Sequence, residues 1–356
     1  MAIGPSLSGT YWPSNATKAQ AFLDHYPVTK FGGRSGHGIR CLAPELPGLM
    51  ARFDWYLPNK PSSRHGAVER RHARDPHTVW AWPTELPRLL QTAKQDFDPS
   101  HQNRVVVFAG EDLHMSVAFG DGNTTRTAGV ISQLRKYFSR ILYASLDIPD
   151  PFVRVLPIGL TEHYTRHSMP DAAVDAIVSS SISDDAKPKM ALAAWGTFHD
   201  MEAAWRYKDK MPRSIYLAFE SRVLARRWGQ TAQARRAGVD VLSVDNSIHP
   251  HDWFRELSKY RFLISPLGDG IQSSKTVEAL MVLTIPIVQR GPFPVNDRLR
   301  HMGFPIVVVS NWEEITLERL NEWWSLLSPR LNKFRHNCVS TDAYWRIIMG
   351  LTDYCN

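Results

Sequence analysis

Tyr260–Leu299 reads YRFLISPLGDGIQSSKTVEALMVLTIPIVQRGPFPVNDRL, and its order of residue types decides the architecture. Phe262–Ser265 is a short apolar run of the kind buried on both faces of a parallel sheet. A glycine-containing loop follows, then Ser273-Ser274-Lys275 at the start of a helix over Ser274–Val282, with Glu278 one turn further on. Ile285–Val288 is the next apolar run. Strand, loop, helix and strand in this order form a βαβ unit. The backbone N–H groups and dipole at such a helix start suit a diphosphate, with hydroxyls and an ammonium completing the cradle.

The alternation extends in both directions. Downstream, Leu299–His301 and Ile306–Val309 continue it, and two final helices, Leu317–Leu327 and Thr341–Leu351, carry Trp323, Trp324 and Trp345 as packing residues. Upstream, Met190–Trp195 and Val239–Val244 read as strands, and Ser221–Ala237 and His251–Lys259 as helices. Ser179–Lys189 is polar and contains a proline, the composition of a linker. Before it, Arg104–Ala109 (RVVVFA) is a buried strand ending in Gly110-Glu111-Asp112. Val130–Leu142 spaces its apolar residues as a helix, and Phe152–Ile158 is a strand stopped by Gly159. The first hundred residues are rich in Pro, Gly, Arg and His, with short elements near Ala19–His25 and Glu85–Lys94. The expected fold is α/β with largely parallel sheets in two domains, residues 1–178 and 190–330. Residues 179–189 link them, and 331–356 return to the first domain.

A chain of 356 residues, 43% hydrophobic and 22% charged, is long enough for two such cores. Its net charge of +7 favours anionic partners: nucleotides, nucleic acid or acidic glycans. No helix-turn-helix or RNP element is readable, so nucleic acid is not an expected partner. Cys41, Cys338 and Cys355 show no CxxC spacing, which excludes a zinc ribbon or disulfide framework and favours a reducing compartment, although a distant pair remains open. No run approaches the ~18–20 apolar residues of a transmembrane segment, and MAIGPSLSGTYWPS lacks a basic stretch followed by an apolar one. The expected location is the cytoplasm, or the Golgi lumen if an anchor has been removed. Asn15-Ala16-Thr17 and Asn123-Thr124-Thr125 fit the glycosylation sequon without deciding the compartment.

The stretch over 260–299 resembles the nucleotide-sugar domain of exostosin-like glycosyltransferases. Phe262, Pro266, Gly268, Asp269, Gly270, Ser274, Lys275, Glu278 and Ala279 match that pattern in order, followed by Pro286-Ile287-Val288, Pro292-Phe293, Asp297 and Leu299. Weaker similarity reaches Trp195-Gly196-Thr197 and Leu156-Pro157-Ile158-Gly159. The resemblance implies a GT-B fold, two Rossmann-like domains facing across a cleft with the second binding the donor. It implies an inverting transfer from a nucleotide sugar, of UDP type, to a glycan hydroxyl, with no metal or other cofactor. Glu278 would hold the ribose. Ser274 and Lys275 would lie at the diphosphate beside the loop residues Ser265, Pro266, Gly268, Asp269, Gly270 and Ser273. Gly196 and Thr197 would complete the donor side, with an arginine from Arg206, Arg213 or Arg222. Two departures stand out: Lys275 where arginine is usual, a point charge rather than a fork, and Leu283-Thr284 in place of a small residue and glycine. A GDP-sugar-dependent fucosyltransferase-like enzyme and a catalytically silent glycan-binding protein are the alternatives.

Inversion in one displacement needs a general base, expected from the first domain at the C-terminal end of a parallel strand. Asp112 meets that condition first, then Glu111, His114 and, in the glycine-rich FGGRSGHGIR, His37. Asp96-Phe97-Asp98 is formally a DxD, yet it follows polar QTAKQ and reads as a loop. Glu162–His167 has two histidines at i, i+4, but its glutamate precedes the first one, which disfavours zinc. His249-Pro250-His251-Asp252-Trp253 reads as the start of a helix. Arg222, Arg226, Arg227, Arg235 and Arg236 form the densest basic patch, with Arg222 and Arg226 on one helix face. Glu278 is expected at a partly exposed helix position.

Overall fold

The computed structural model describes residues 22, 24–30, 48–57, 69–70, 74–161, 169–194, 212–242, 248–268 and 270–355. The first half runs β1 (Val28–Lys30), β2 (Trp55–Leu57), β3 (Glu69–Arg70), β4 (Thr78–Ala81), α1 (Leu86–Asp96), β5 (Val105–Phe108), α2 (Met115–Gly120), α3 (Thr124–Leu134), β6 (Arg140–Tyr143), β7 (Val153–Val155), β8 (Leu160–Thr161) and α4 (Met169–Ser179). Its sheet has the order β3-β2-β4-β5-β6-β7; β2 and β4 to β7 are parallel and β3 is antiparallel at the edge. β1 and β8 form a separate parallel pair. All four residues of β5, VVVF, are buried, as a central strand covered on both faces requires.

The second half runs β9 (Lys189–Ala193), α5 (Arg213–Gly229), α6 (Ala232–Arg236), β10 (Val239–Val241), α7 (Trp253–Leu257), β11 (Tyr260–Ile264), α8 (Ser274–Met281), β12 (Ile285–Gln289), α9 (Val295–His301), β13 (Val307–Val309), α10 (Leu317–Cys338) and α11 (Thr341–Ile348). Its sheet is entirely parallel, in the order β10-β9-β11-β12-β13. From β9 the chain therefore moves first to one side and then to the other. That reversal falls at the C-terminal ends of β9 and β11, where doubly wound sheets place ligands.

Three element boundaries differ from the expectation. The helix expected over 130–142 stops at Leu134, and Arg140–Tyr143 is β6, because Ile141, Leu142 and Tyr143 are all buried between β5 and β7. The helix expected over 221–237 is two: α5 ends at Gly229, and Thr231 starts α6 by accepting a hydrogen bond from the Ala234 N–H. Before α7, Pro250–Asp252 form a 3-10 turn capped by His249.

The last two helices close over both halves. Trp324 packs edge-on against Phe262 of β11, and Trp345 against Phe53 ahead of β2. Arg335 of α10 donates to Ile177 O, Ser180 Oγ and Met281 O. Tyr344 of α11 donates through its hydroxyl to Ile158 O at 2.8 Å. Cys338 and Cys355 lie side by side as buried free thiols.

The polar stretch 179–189 holds a residue whose role its composition hides. Lys187 is fully buried, with Nζ 2.8 Å from Ser258 O and 3.0 Å from Tyr260 O, Val282 O and Thr284 Oγ1. It thereby ties the segment before β9 to the ends of α7 and α8 and to the turn into β12. Burial, reinforced by the charge of Arg335, lowers its pKa from 10.5 to about 7. Between those values the unfolded chain binds the proton and the folded one does not, so this group's contribution is complete above pH 10.5 and declines as pH falls to 7. Lys187→Met strands buried carbonyl oxygens and is expected to cost about 3 kcal/mol at pH 9. The gap from the unmodified protein should narrow steadily as pH falls from 9 and level off below 7. Urea denaturation of both proteins across that range checks it; a pH-independent gap contradicts it.

Candidate functional site

The C-terminal ends of β9 and β11 are walled by the loop that follows β11. Ser265 is buried, with Oγ 3.3 Å from Thr276 Oγ1. Pro266 and Gly268 are half-buried, and Leu267 N donates to Ser221 Oγ of α5. The loop ends at α8, where Ser273 takes the N-cap position in extended backbone. Ser274 is buried, and its Oγ has no hydrogen-bond partner among the described residues. Helix dipole, N–H groups and this hydroxyl converge at the start of α8, an environment favourable to an anion.

Lys275 turns inward from that helix start. Its Nζ donates to Ala194 O, just past β9, at 2.6 Å and lies 5.1 Å from the centroid of the Trp253 ring. Burial pulls its pKa below the ordinary lysine value; the charge of Glu278 acts upward and that of Arg226 further downward. Arg226 is itself lowered, first by burial and then by Arg222, whose guanidinium lies 4.7 Å from the Phe219 ring centroid. The charges of Arg222, Arg226 and Lys275 thus act on one another in turn, with Glu278 opposing the shift at Lys275.

Glu278 corrects an expectation. It is 2% exposed rather than partly exposed, and its Oε2 accepts a 2.7 Å hydrogen bond from Trp253 Nε1. Trp253 therefore orients the carboxylate with its N–H and underlies the ammonium with its ring. From sequence, Trp253 reads first as part of a helix start and second as an indole offered to a base or sugar; its contact with Glu278 is not legible from spacing.

The other wall comes from the first half. Gly110, at φ +102°, turns the chain out of β5, and a Cβ there would lie 2.9 Å from the Trp82 ring. That turn presents Glu111 and Asp112. Asp112 Oδ2 pairs with Lys30 Nζ at 2.7 Å, and Glu111 Oε1 accepts from Thr84 Oγ1 at 2.9 Å. Both carboxylate residues are half-buried. His114 is fully buried and meets the Phe293 ring edge-on. Behind it, Asp147 accepts from the Ser116 N–H and hydroxyl, which fixes the start of α2.

The two walls touch at Gly270. A Cβ there would lie 2.8 Å from both Asp112 Oδ1 and Ser145 Oγ, so a larger residue would have to push these two side chains aside. Gln272, two residues on, reaches the first half directly: Nε2 donates to Ala144 O and Leu156 O, and Oε1 accepts from Ile158 N. Neither Ser145 nor Gln272 was singled out from sequence. The structure thus brings Ser265, Pro266, Gly268, Gly270, Ser273, Ser274, Lys275 and Glu278 together on the loop after β11 and the first turns of α8, with Asp112 against the same loop; the cavity that Ser265, Pro266 and Ser273 line there is about 10 Å³. Gly196, Thr197, Asp269, Arg206 and His37 lie outside the described residues.

Of Asp96-Phe97-Asp98, expected as a loop, Asp96 is the last residue of α1 and only Phe97 and Asp98 lie beyond it, with Phe97 buried under the guanidinium of Arg104. Asp75, Asp98 and His101 lie close enough to share an ion, but Asp75 is already bound by Arg104 through two 2.8 Å contacts. Compared with protein-family models and with curated proteins, the chain has no match in either set.

Glu278 is expected to show two separable effects. Glu278→Ala leaves the buried Trp253 N–H without its acceptor and should cost about 1–3 kcal/mol of stability. Glu278→Gln keeps an acceptor and should retain most of it. Chemical denaturation of the two variants checks this ordering; equal losses contradict it.

Proposed function

We propose that the protein is an inverting, metal-independent glycosyltransferase of GT-B architecture and exostosin-like character, transferring a sugar from a UDP-sugar to a glycan hydroxyl. One observation carries the reading: the loop bearing the nucleotide-sugar resemblance lies at the reversal of the second sheet and meets Asp112 of the first half at Gly270. In this reading the diphosphate sits at the start of α8, where the helix dipole, the Ser274 hydroxyl and the charges of Lys275 and Arg226 stabilise the leaving group. Glu278 orients the ribose. The Asp112 carboxylate accepts the proton from the acceptor hydroxyl as the hydroxyl oxygen attacks the anomeric carbon from the face opposite the departing diphosphate. One C–O bond forms as the other breaks, which inverts the centre. Lys30, at 2.7 Å, holds the carboxylate in place for that role.

Calorimetry and thermal shift with UDP, GDP, CMP and dTDP, with and without EDTA, test the donor side. UDP is expected to raise the melting temperature with EDTA present, since a ligand bound only by the folded state stabilises it. A shift by GDP alone selects the fucosyltransferase-like alternative. No shift by any nucleotide contradicts enzymatic transfer and favours a silent glycan binder.

Asp112→Asn tests the other side. It preserves size next to Gly270 while removing the base, and is expected to lower turnover by about 10²–10⁴-fold with nucleotide affinity unchanged. Normal turnover in this variant would move the base elsewhere.

A further inference from the structure

A second site lies away from the loop after β11. A cavity of about 360 Å³ opens between the β7 edge of the first sheet, α9 and the chain end, within the size range of small-molecule sites. Arg140, Arg154, Arg298 and His301 line it with Asp150 and Asp353. None of the residues assigned above to donor or acceptor contacts is among its walls.

The charges here are only partly matched. Arg140 is held by Ile347 O at 2.9 Å and by Asp353 at 3.5 Å. Asp150 uses a carboxylate oxygen to accept from its neighbour Phe152 N at 2.7 Å. Arg298 donates to Val153 O at 3.1 Å and Asp150 O at 3.5 Å, contacts that aim the guanidinium without neutralising it. Arg154 is exposed and, like Arg298, has no carboxylate within 4 Å among the described residues. The two guanidiniums feel one another: after burial, the charge of Arg154 lowers the Arg298 pKa, and the Asp150 carboxylate opposes it only in part. Two like charges facing one cavity, Arg298 partly buried and Arg154 exposed at its mouth, repel, and an anion between them removes that penalty. A planar fork of N–H donors matches a tetrahedral oxyanion in two-point contacts. Val153, Met302 and Ile347 add apolar wall beside the charges.

We propose that this cavity binds a small phosphate or sulfate ester, its oxyanion held by Arg154 and Arg298 and its organic part resting on Val153, Met302 and Ile347. Because its walls come from both halves and from the chain end, an occupant would touch all three at once. The inference does not rest on glycosyl transfer.

The test is calorimetric titration of the full chain at low ionic strength with phenyl phosphate and, separately, phenyl sulfate. Saturable binding of either is expected, weakened about tenfold or more by Arg154→Gln, which removes an exposed side chain and should leave the fold intact. Arg319→Gln, an exposed arginine on α10, controls for loss of overall charge and should leave the affinity unchanged. Preference for phosphate points to phosphate monoesters as the natural source; comparable or tighter sulfate binding points to sulfated sugars. Equal loss in both variants would overturn the assignment, as would the absence of binding. Binding insensitive to Arg154→Gln but lost in Arg226→Gln would also overturn it, and would place the oxyanion at the start of α8 with the donor reading intact.

Discussion

The placement of the candidate site depends on the side-chain amide of Gln272. It is 5% exposed, it lies in the loop of the second half, and each of its three hydrogen bonds goes to backbone of the first: to Ala144 O and Leu156 O past β6 and β7, and from Ile158 N. No other side chain of this size supplies two donors and an acceptor from one planar group. A glutamate would set its charge against two carbonyl oxygens. A leucine would leave three buried backbone groups without partners, each a loss of about 1–3 kcal/mol. Because both strand ends are rigid, the amide fixes the loop to within a hydrogen-bond length, and Gly270 is brought against Asp112 and Ser145 as a consequence.

The chain end turns that local register into a lasting one. Domains joined by one linker are expected to move relative to one another unless their shared surface is large. Here Tyr344 accepts nothing from solvent and donates to Ile158 O, whose residue also donates its N–H to Gln272. One residue of the first half is therefore held from both sides, by the loop and by α11. Arg335 and Lys187 complete the arrangement from below, joining the segment around 177–187 to the ends of α7 and α8 through carbonyl oxygens. Buried donors bound by backbone oxygens specify position, because displacing either one leaves carbonyl oxygens without partners.

Sequence patterning reached the fold where burial dictates residue type. β5, β11 and β12 are covered on both faces, so VVVF, YRFLI and IPIVQ are legible as strands, and the glycine loop with Ser273-Ser274-Lys275 marks the start of α8. It failed where one pattern serves two elements. Ile141 and Leu142 continue the spacing of α3, but in a four-residue strand the sheet on each side, not the period, decides. The candidate site was legible in its helix start and at Asp112, since both follow from strand ends. Gln272, Ser145, Lys30 and Trp253 were not, because each acts on a partner more than 20 residues away and no local spacing encodes such a contact. Glu278 was misjudged for the same reason: an indole from α7 covers it.

The net charge of +7 acquires meaning only through its distribution. Many surface cations here have carboxylates beside them, as Lys259 has Glu256, Arg255 has Asp252 and Arg261 has Asp184, and such exposed pairs contribute little to stability. Elsewhere cations bear on one another: Arg222 lowers the pKa of Arg226 and Arg226 that of Lys275 at the start of α8, where Glu278 acts the other way, and Arg154 lowers that of Arg298 beside β7, where Asp150 acts the other way. Lys275 and Arg298 offset part of the cost of burying their charge with hydrogen bonds to backbone carbonyl oxygens, Ala194 O for the first and Val153 O for the second. An anion beside either cluster would lower the remaining cost, and that electrostatic relation is what the two proposed sites have in common.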